Sequence, residues 1–295
     1  MEGGGLRGVV SGGMCVLLEK AGLIDAVDVI YGTSSGALNG SFTAAGQAAL
    51  GATNYLDTSN PQFANPFRML TGRAVLDLDF LFEELIFNRT PYDPAGLAAG
   101  PPFRALSVSL DTSELVVMRD FADVGELMAA VRASCSLPLL ADAPASFRGE
   151  PMSDGSLIES MPYRAALADG ATHVLVLRSH SAGHRMDDVP RALLELARRT
   201  AHPAVVSLLR GRPERYNADA AQLEQAGAGE PGLLQIAPPA GAAYLPLVGT
   251  PGLGQLELSG RAVRQGLLVG ATAAAAAFGL PAVDVVWQPE VYRTT

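Results

Sequence analysis

Charged side chains are scarce in this sequence of 295 residues: Asp, Glu, Lys and Arg make up 17% of it, whereas hydrophobic residues make up 48%. Such a composition excludes wholesale disorder and predicts a sizeable buried core. The charges that are present sum to −9 at pH 7. An acidic chain disfavours broad electrostatic binding to nucleic acid or to an anionic bilayer, so we expect no nucleic-acid partner.

Cysteine is nearly absent as well, since Cys15 and Cys135 are the two cysteines of the chain. They lie far apart, without metal-ligand spacing and without neighbouring histidines. This pattern is typical of small buried residues in a reducing compartment, and it predicts neither a disulfide nor a metal site. The first residues lack the basic and apolar regions of a secretory signal. A soluble, cytoplasmic protein is therefore expected.

A long run of strongly apolar residues is the third absence. The nearest approach is Gln265–Val283, which is uncharged but consists largely of Ala and Gly. Because these residues insert weakly into a bilayer, we expect a buried amphipathic helix there and not a membrane span. A shorter apolar segment, Val75–Phe87, suits an acyl-chain channel, but ordinary core packing is the favoured interpretation.

Apolar residues recur at helical spacing in some segments and form short β-prone runs in others. The spacing predicts helices over residues 9–21, 37–50, 124–134, 162–168, 190–209 and 259–278. The short runs predict strands over residues 28–31, 106–110, 115–119, 173–177 and 233–237, with a loop over 151–157. Strands that alternate with helices favour an α/β fold whose mostly parallel sheet is covered on both sides. The arginines between 191 and 215 are typical of a solvated helix face.

Ser34 lies in the segment Gly32-Thr33-Ser34-Ser35-Gly36, between a predicted strand and a predicted helix. In a nucleophile elbow the serine occupies a strained turn, and small neighbours are needed because the backbone passes close to itself. The start of a helix also favours negative charge that develops on Ser34 Oγ. G-x-S-x-G occurs by chance in ordinary turns, but the strand and helix on either side make Ser34 a candidate nucleophile.

A second glycine-rich stretch, Gly3-Gly4-Gly5-Leu6-Arg7-Gly8, precedes the first predicted helix. Its backbone N–H groups are unobstructed and suit an anion at the helix start, either a phosphate or the oxyanion of a tetrahedral intermediate. The stretch formally matches the dinucleotide fingerprint G-x-G-x-x-G. That fingerprint needs a preceding strand, and only Met1 and Glu2 precede it here.

A serine nucleophile needs a base, and the chain has 4 histidines. His180 and His184, beside a glycine-containing loop after a predicted strand, are the histidines that fit the role. Asp154 is the alternative: it acts directly on the serine if burial raises its basicity. Taken alone, Asp154-Gly155 is also typical of a β-turn.

In order along the chain, these segments resemble the patatin-like phospholipase family. That family has an oxyanion segment G-G-G-x-[KR]-G, a nucleophile segment G-x-S-x-G and a dyad segment D-G-[GA]. The matching positions here are Gly3–Gly8, Gly32–Gly36 and Asp154–Ser156, and Ala133–Pro138 is similar to the family segment A-S-x-x-x-P. Ser156 departs from the usual Gly or Ala but is still small.

The resemblance implies a patatin-like, three-layer α/β/α fold with a mostly parallel central sheet. We expect one domain over residues 1–295, with the motifs inside 2–178 and with 179–295 as its helical and loop remainder. The family places a β-strand directly before the glycine stretch. Because this chain begins at Met1-Glu2, either its start is assigned too late or the oxyanion loop is less firmly held.

The resemblance also implies a serine lipid acyl hydrolase of the phospholipase A, lysophospholipase or esterase type. It would use a Ser34–Asp154 dyad, an acyl-enzyme intermediate and no cofactor or metal. The implied oxyanion hole comprises Gly4, Gly5, Leu6 and Arg7, and the motif glycines are Gly3, Gly8, Gly32, Gly36 and Gly155. The implied partner is a lipid or other acyl ester, with transient contact at a membrane surface.

Two other functions stay open on the residues themselves. An acyltransferase would pass the acyl-serine to an alcohol, an amine or a carrier thiol, and the choice of acceptor lies in pocket shape. A non-catalytic or nucleotide-binding module would use the glycine stretch to bind phosphate and would have no reactive serine. The sequence predicts no oligomeric state.

Overall fold

The structure, a computed structural model, describes residues 1–59, 62–65, 67–68, 73–141, 144–226, 232–240 and 260–280. Within these ranges lie nine α-helices: α1 Gly8–Lys20, α2 Ser35–Ala44, α3 Ala48–Thr53, α4 Pro94–Ala99, α5 Val124–Cys135, α6 Tyr163–Ala168, α7 Arg191–Thr200, α8 Pro203–Ala226 and α9 Gly260–Ala277. A π-helix, Phe80–Arg89, lies between α3 and α4.

The same ranges contain seven strands: β1 Ile30–Thr33, β2 Phe103–Ser109, β3 Leu115–Met118, β4 Ala145–Phe147, β5 Glu150–Asp154, β6 Val174–Leu177 and β7 Leu233–Ile236. β1 runs parallel to β2, and β6 runs parallel to β7. β2 also pairs with β3 and with β5, and β5 pairs with β4, all antiparallel.

Met1 and Glu2 join these two groups of strands. Met1 N donates to Tyr31 O at 2.6 Å, and Thr33 N donates to Met1 O at 3.3 Å. On the opposite side, Glu2 N donates to Leu177 O at 3.0 Å. The bonds to β1 follow the pattern of parallel strands. Parallel neighbours therefore run through the centre of the sheet, and the antiparallel strands lie beyond β2.

Side chains of β2 alternate between two helical layers, as the two-residue period of a strand requires. Phe103 and Ala105 belong to the core that includes α2 and α5. On the other face, Leu106 packs with α6, and Val108 packs with α7 and α8. Because α1, α3 and α9 form a further core against β6 and β7, helices cover both faces of the sheet. The predicted three-layer α/β/α architecture is confirmed.

The apolar segment before α4 contributes to the core, as its favoured interpretation predicted. Leu78, Phe82 and Leu85 are buried in the same core as α2 and α5, and Phe87 is exposed. The long C-terminal helix is likewise buried along one side, where Leu267 and Ala271 pack in the core that α1 contributes to. None of the helices in the described ranges combines the length and the apolar character that a membrane crossing requires.

The loop predicted over residues 151–157 was wrong. Strand β5 runs through the first part of it to Asp154, and a 3-10 turn, Gly155–Leu157, follows. Pairing with β2 builds this strand, with Asp154 opposite Ser107. The sequence did not predict this strand, because Met152 is the one large apolar side chain in β5.

Two predicted helices are each divided in the structure. Residues 190–209 comprise α7 and the start of α8, and Pro203 begins α8, where a missing backbone N–H does no harm. Residues 37–50 comprise α2 and α3, which are separated at Gly46 with φ 67°. Strand β6 lies within the predicted strand 173–177, and it is not buried along both faces, since Leu175 is 38% exposed.

Glu159 is a buried carboxyl at the start of α6. Its Oε1 accepts hydrogen bonds from Arg164 N at 2.8 Å and from Ala165 N at 3.2 Å. Burial outweighs these two bonds and raises the pKa of Glu159 to about 7. The folded protein therefore holds a proton near neutral pH that the unfolded chain releases.

We expect the free energy of unfolding of the wild type to fall relative to that of Glu159→Gln as pH rises from about 4.5 to about 7. The relative loss should be on the order of 2–3 kcal/mol, since one pKa unit corresponds to about 1.4 kcal/mol. Urea unfolding at several pH values measures it. Parallel pH dependence in the two proteins would contradict this expectation.

Candidate active site

Ser34 occupies a strained backbone turn between β1 and α2. Its φ of 55° and ψ of −130° lie in a region that favours glycine. Ser34 N donates to Ser134 Oγ at 2.8 Å, and the Ser134 hydroxyl donates to Leu106 O. Tertiary hydrogen bonds therefore hold this conformation. The strand and the helix that were predicted around Ser34 are both present.

The turn that carries Ser34 and the first residues of the chain are in close backbone contact. A Cβ on Gly36 would lie 2.4 Å from Met1 O, a distance that no real side chain reaches. A Cβ on Gly3 would lie 3.0 Å from Ser34 Cβ. The glycine segment, which we define as Gly3–Gly8, therefore begins directly against Ser34.

The glycine segment makes a 3-10 turn, Gly5–Arg7, before α1 begins at Gly8. Gly4 N donates to Ser35 Oγ at 3.0 Å, so that one of the predicted oxyanion donors is engaged in this state. Arg7 N donates to Gly4 O at 3.1 Å within the turn. The N–H groups of Gly5 and Leu6 make no hydrogen bond outside the turn to any residue in the described ranges.

The other motif glycines lie where backbone segments meet. Gly32, within β1, lies against the first turn of α2. Gly155 follows Asp154 and lies against Leu106 of β2. The two segments that carry Ser34 and Asp154 are thus both packed on the central strands.

Asp154 ends β5 and is fully buried. Its Oδ1 accepts a hydrogen bond from Ser156 N at 2.8 Å, and its backbone N donates to Ser136 O at 3.1 Å. Its Oδ2 is buried and has no hydrogen-bond partner of ordinary geometry among the described residues. The hydroxyl of Ser34 is nevertheless close enough to act on the pKa of this carboxyl. The two side chains are neighbours whose hydrogen bond is not closed in this state.

Burial raises the pKa of Asp154 above its usual range. The hydrogen bond from Ser156 N, the nearby hydroxyl of Ser34 and the charge of Arg212 act in the opposite direction but do not cancel the effect of burial. A buried carboxylate with an unoccupied oxygen is a stronger base than an exposed one. This environment suits proton transfer from a serine hydroxyl.

Arg212 is a neighbour of this site that the sequence did not reveal. It lies on α8, and its Nε donates to Ser156 O at 3.0 Å. It therefore supports the turn that holds Asp154, instead of belonging to a solvated helix face. Nothing in the local sequence distinguishes it from the arginines around it, because its position depends on how α8 packs on the turn after β5.

His180 and His184 are placed elsewhere. His180 Nδ1 lies 2.8 Å from Glu2 Oε1, and the two imidazole rings are stacked with centroids 4.4 Å apart. Neither histidine makes a hydrogen bond to Ser34 within the described part of the chain. The structure therefore brings Asp154, and not a histidine, beside the candidate nucleophile. Across the same residues, no group of three or more His, Cys, Asp or Glu side chains could hold a metal ion.

Ser134→Ala should destabilise the protein by about 1–3 kcal/mol, because Ser34 N–H would stay buried without an acceptor. Ser41→Ala is the matched control: Ser41 is equally buried, but its hydroxyl only bonds to Leu38 O within α2. This control should be nearly neutral. Denaturant unfolding compares the two variants, and equal losses would show that Ser134 has no special role at the elbow.

Three comparisons with known proteins bear on this site. A family model described as patatin-like phospholipase matches residues 1–167. The uncharacterised protein YjjU of Escherichia coli strain K12 is 26% identical over 187 residues, 60% of this chain and 50% of YjjU, so the chain spans about half the length of this curated relative. The crystal structure of VipD from Legionella pneumophila shares 12% identity at a TM-score of 0.45, over 93% of this chain and 66% of VipD.

The family match covers more than half of the chain. It includes the glycine segment, the elbow with Ser34, and β5 with Asp154. The chain belongs to the patatin-like phospholipase family.

Proposed function

We propose that this protein is a serine acyl hydrolase that cleaves lipid esters through Ser34 and Asp154. The observation that carries the proposal is the pairing of a strained, buried serine with a fully buried carboxylate that has one oxygen unoccupied. Strain at a single residue is typical of functional sites. Membership of the patatin-like phospholipase family supports a lipid substrate.

In the proposed reaction, Ser34 Oγ attacks the ester carbonyl carbon while its proton passes to Asp154 Oδ2. The tetrahedral intermediate collapses, and the alcohol leaves with that proton. A water molecule then attacks the acyl-serine, again with Asp154 as base, and the fatty acid leaves as Ser34 regains its proton. Each half of the cycle thus returns the carboxylate to its starting form.

The negative charge that develops on the carbonyl oxygen would be bound by the N–H groups of Gly5 and Leu6. Gly4 N would join them once the Ser35 hydroxyl rotates away from it. One such donor contributes about 3 kcal/mol in comparable sites. Arg7, at the end of the same turn, and Arg212, beside the turn after β5, add positive charge near the reacting ester.

Loss of either dyad residue should abolish catalysis. We expect Ser34→Ala and Asp154→Asn each to lower kcat by about 10³-fold or more, because nucleophile and base act as a unit. His184→Asn, a change at a histidine apart from Ser34, should retain activity. Hydrolysis of a short-chain ester and of a phospholipid, with and without an added alcohol acceptor, measures turnover and separates hydrolysis from acyl transfer.

A fluorophosphonate should label the wild type on Ser34, as mapped by mass spectrometry. Labelling absent from Ser34 would contradict both a hydrolase and an acyltransferase. Phosphate-ligand binding with no reactive serine would favour the nucleotide-binding alternative.

kcat/KM should fall at acid pH, because only ionised Asp154 accepts the proton. The midpoint of this acid limb should lie above the ordinary pKa range of a carboxyl group, because burial raises the pKa of Asp154. Arg212→Gln should move this limb to higher pH, since the cation lowers the pKa of Asp154. Arg212→Lys keeps the charge and should stay closer to the wild type. A limb that is the same in all three proteins would contradict this assignment of the base.

A further inference from the structure

Glu2 is a fully buried carboxylate directly before the glycine segment, and the proposed reaction gives it no role. Four residues surround it: Arg178, Ser179, His180 and Tyr216. We call these five residues the Glu2 cluster. All of them are buried, and Arg178 is fully so, although its guanidinium carries a charge. Such a group requires an explanation, because buried charges are rare unless they are paired.

Both oxygens of Glu2 are saturated with hydrogen bonds. Oε2 accepts from Arg178 Nε at 3.2 Å, from Ser179 N at 2.6 Å and from His180 N at 3.1 Å. Oε1 accepts from Tyr216 Oη at 2.8 Å and from His180 Nδ1, in its N–H tautomer, at 2.8 Å. Five donors around one carboxylate leave its side chain a single orientation.

The charge state of Glu2 follows from the same contacts. Burial by itself would raise its pKa, but the electrostatic interactions with His180 and Arg178 and the hydrogen bonds from His180 and Tyr216 outweigh it and lower the pKa well below the usual range. Glu2 is therefore ionised at neutral pH, where it pairs with the charge of Arg178.

The Glu2 cluster reaches the glycine segment through the next residue. Ser179 Oγ donates to Gly3 O at 3.0 Å, and Gly3 N donates to Ser160 O at 2.9 Å. A Cβ on Gly4 would lie 2.4 Å from Ser179 Oγ, so the cluster also lies directly behind Gly4. Only one to three residues separate Glu2 from the proposed oxyanion donors Gly4, Gly5 and Leu6, so the backbone between them has little room to move.

We infer that Glu2 is a positioning residue, which ties the glycine segment to the chain after β6 and to α8 and thereby sets the place of the oxyanion N–H groups. Its four partners all lie at residue 178 or beyond, whereas the family match ends at residue 167. The C-terminal part of the chain is in this way required for the geometry of the site. The inference rests on the proposed function for its catalytic consequence.

Tyr216→Phe tests the inference, because it removes one hydrogen bond from Glu2 and the bond that Tyr216 Oη accepts from Arg178 Nη2 at 3.1 Å. Tyr163→Phe is its matched control: Tyr163 is equally buried, and its hydroxyl donates to the carboxylate of Asp219 on the same helix α8 at 2.9 Å. We expect both variants to lose similar stability. Only Tyr216→Phe should lower kcat, by about tenfold, with KM within about twofold of the wild type, because a misplaced donor acts on the transition state.

Glu2→Gln is the stronger variant, since its amide keeps the shape but turns an NH2 group toward donors. It should lower kcat and the rate of fluorophosphonate labelling at Ser34 by a common factor of about 100. Circular dichroism and a thermal melt confirm that the variant is folded. Should it fail to fold, Tyr216→Phe and its control still decide the question.

Hydrogen–deuterium exchange supplies a readout that needs no turnover. Peptides that cover residues 3–8 should exchange faster in Tyr216→Phe than in the wild type, and at the wild-type rate in Tyr163→Phe. Unchanged exchange in Tyr216→Phe, or equal losses of kcat in the two variants, would overturn the inference. If the wild type neither cleaves esters nor labels on Ser34, the proposed function fails, while the exchange rates still decide whether the cluster holds the segment.

Discussion

Backbone contact between the first residues of the chain and the nucleophile elbow is the constraint on which the rest of the site depends. Met1 O lies so close to Gly36 that no side chain fits between them, and Gly3 abuts Ser34. Met1 bonds to β1 on one side, and Glu2 bonds to β6 on the other. Of the two alternatives that the sequence left open, a less firmly held oxyanion loop is the one that these bonds disfavour, because they secure a short extended segment from both sides.

Backbone strain at Ser34 and burial of Asp154 make separate contributions to this site. The turn at Ser34 is held by the hydrogen bond from its backbone N to Ser134, which offsets an unfavourable conformation. Burial raises the pKa of Asp154, and the charge of Arg212 lowers this pKa by a smaller amount. A carboxylate in such surroundings can take a proton that an exposed aspartate would leave on the serine. The proposed reaction therefore needs no histidine as an intermediary.

Helix α8 supports the two halves of the site from one side of the sheet. Arg212 holds the turn after Asp154, and one helical turn later Tyr216 bonds to Glu2 ahead of the glycine segment. The proposed base and the proposed oxyanion donors therefore share a support that lies beyond the part of the chain matched by the family model. A rigid common support keeps two groups from different loops in register.

Local patterns in the sequence determined the surroundings of Ser34 and most of the helices, because strand, turn and helix there follow from neighbouring residues. The same patterns missed β5, whose single large apolar residue conceals a strand that only pairing with β2 creates. They identified Asp154 only through its resemblance to a family, and they left Glu2 and Arg212 without a role. Burial and contacts between residues 56 to 214 positions apart decide what these charged groups do, and those exist only in the folded chain.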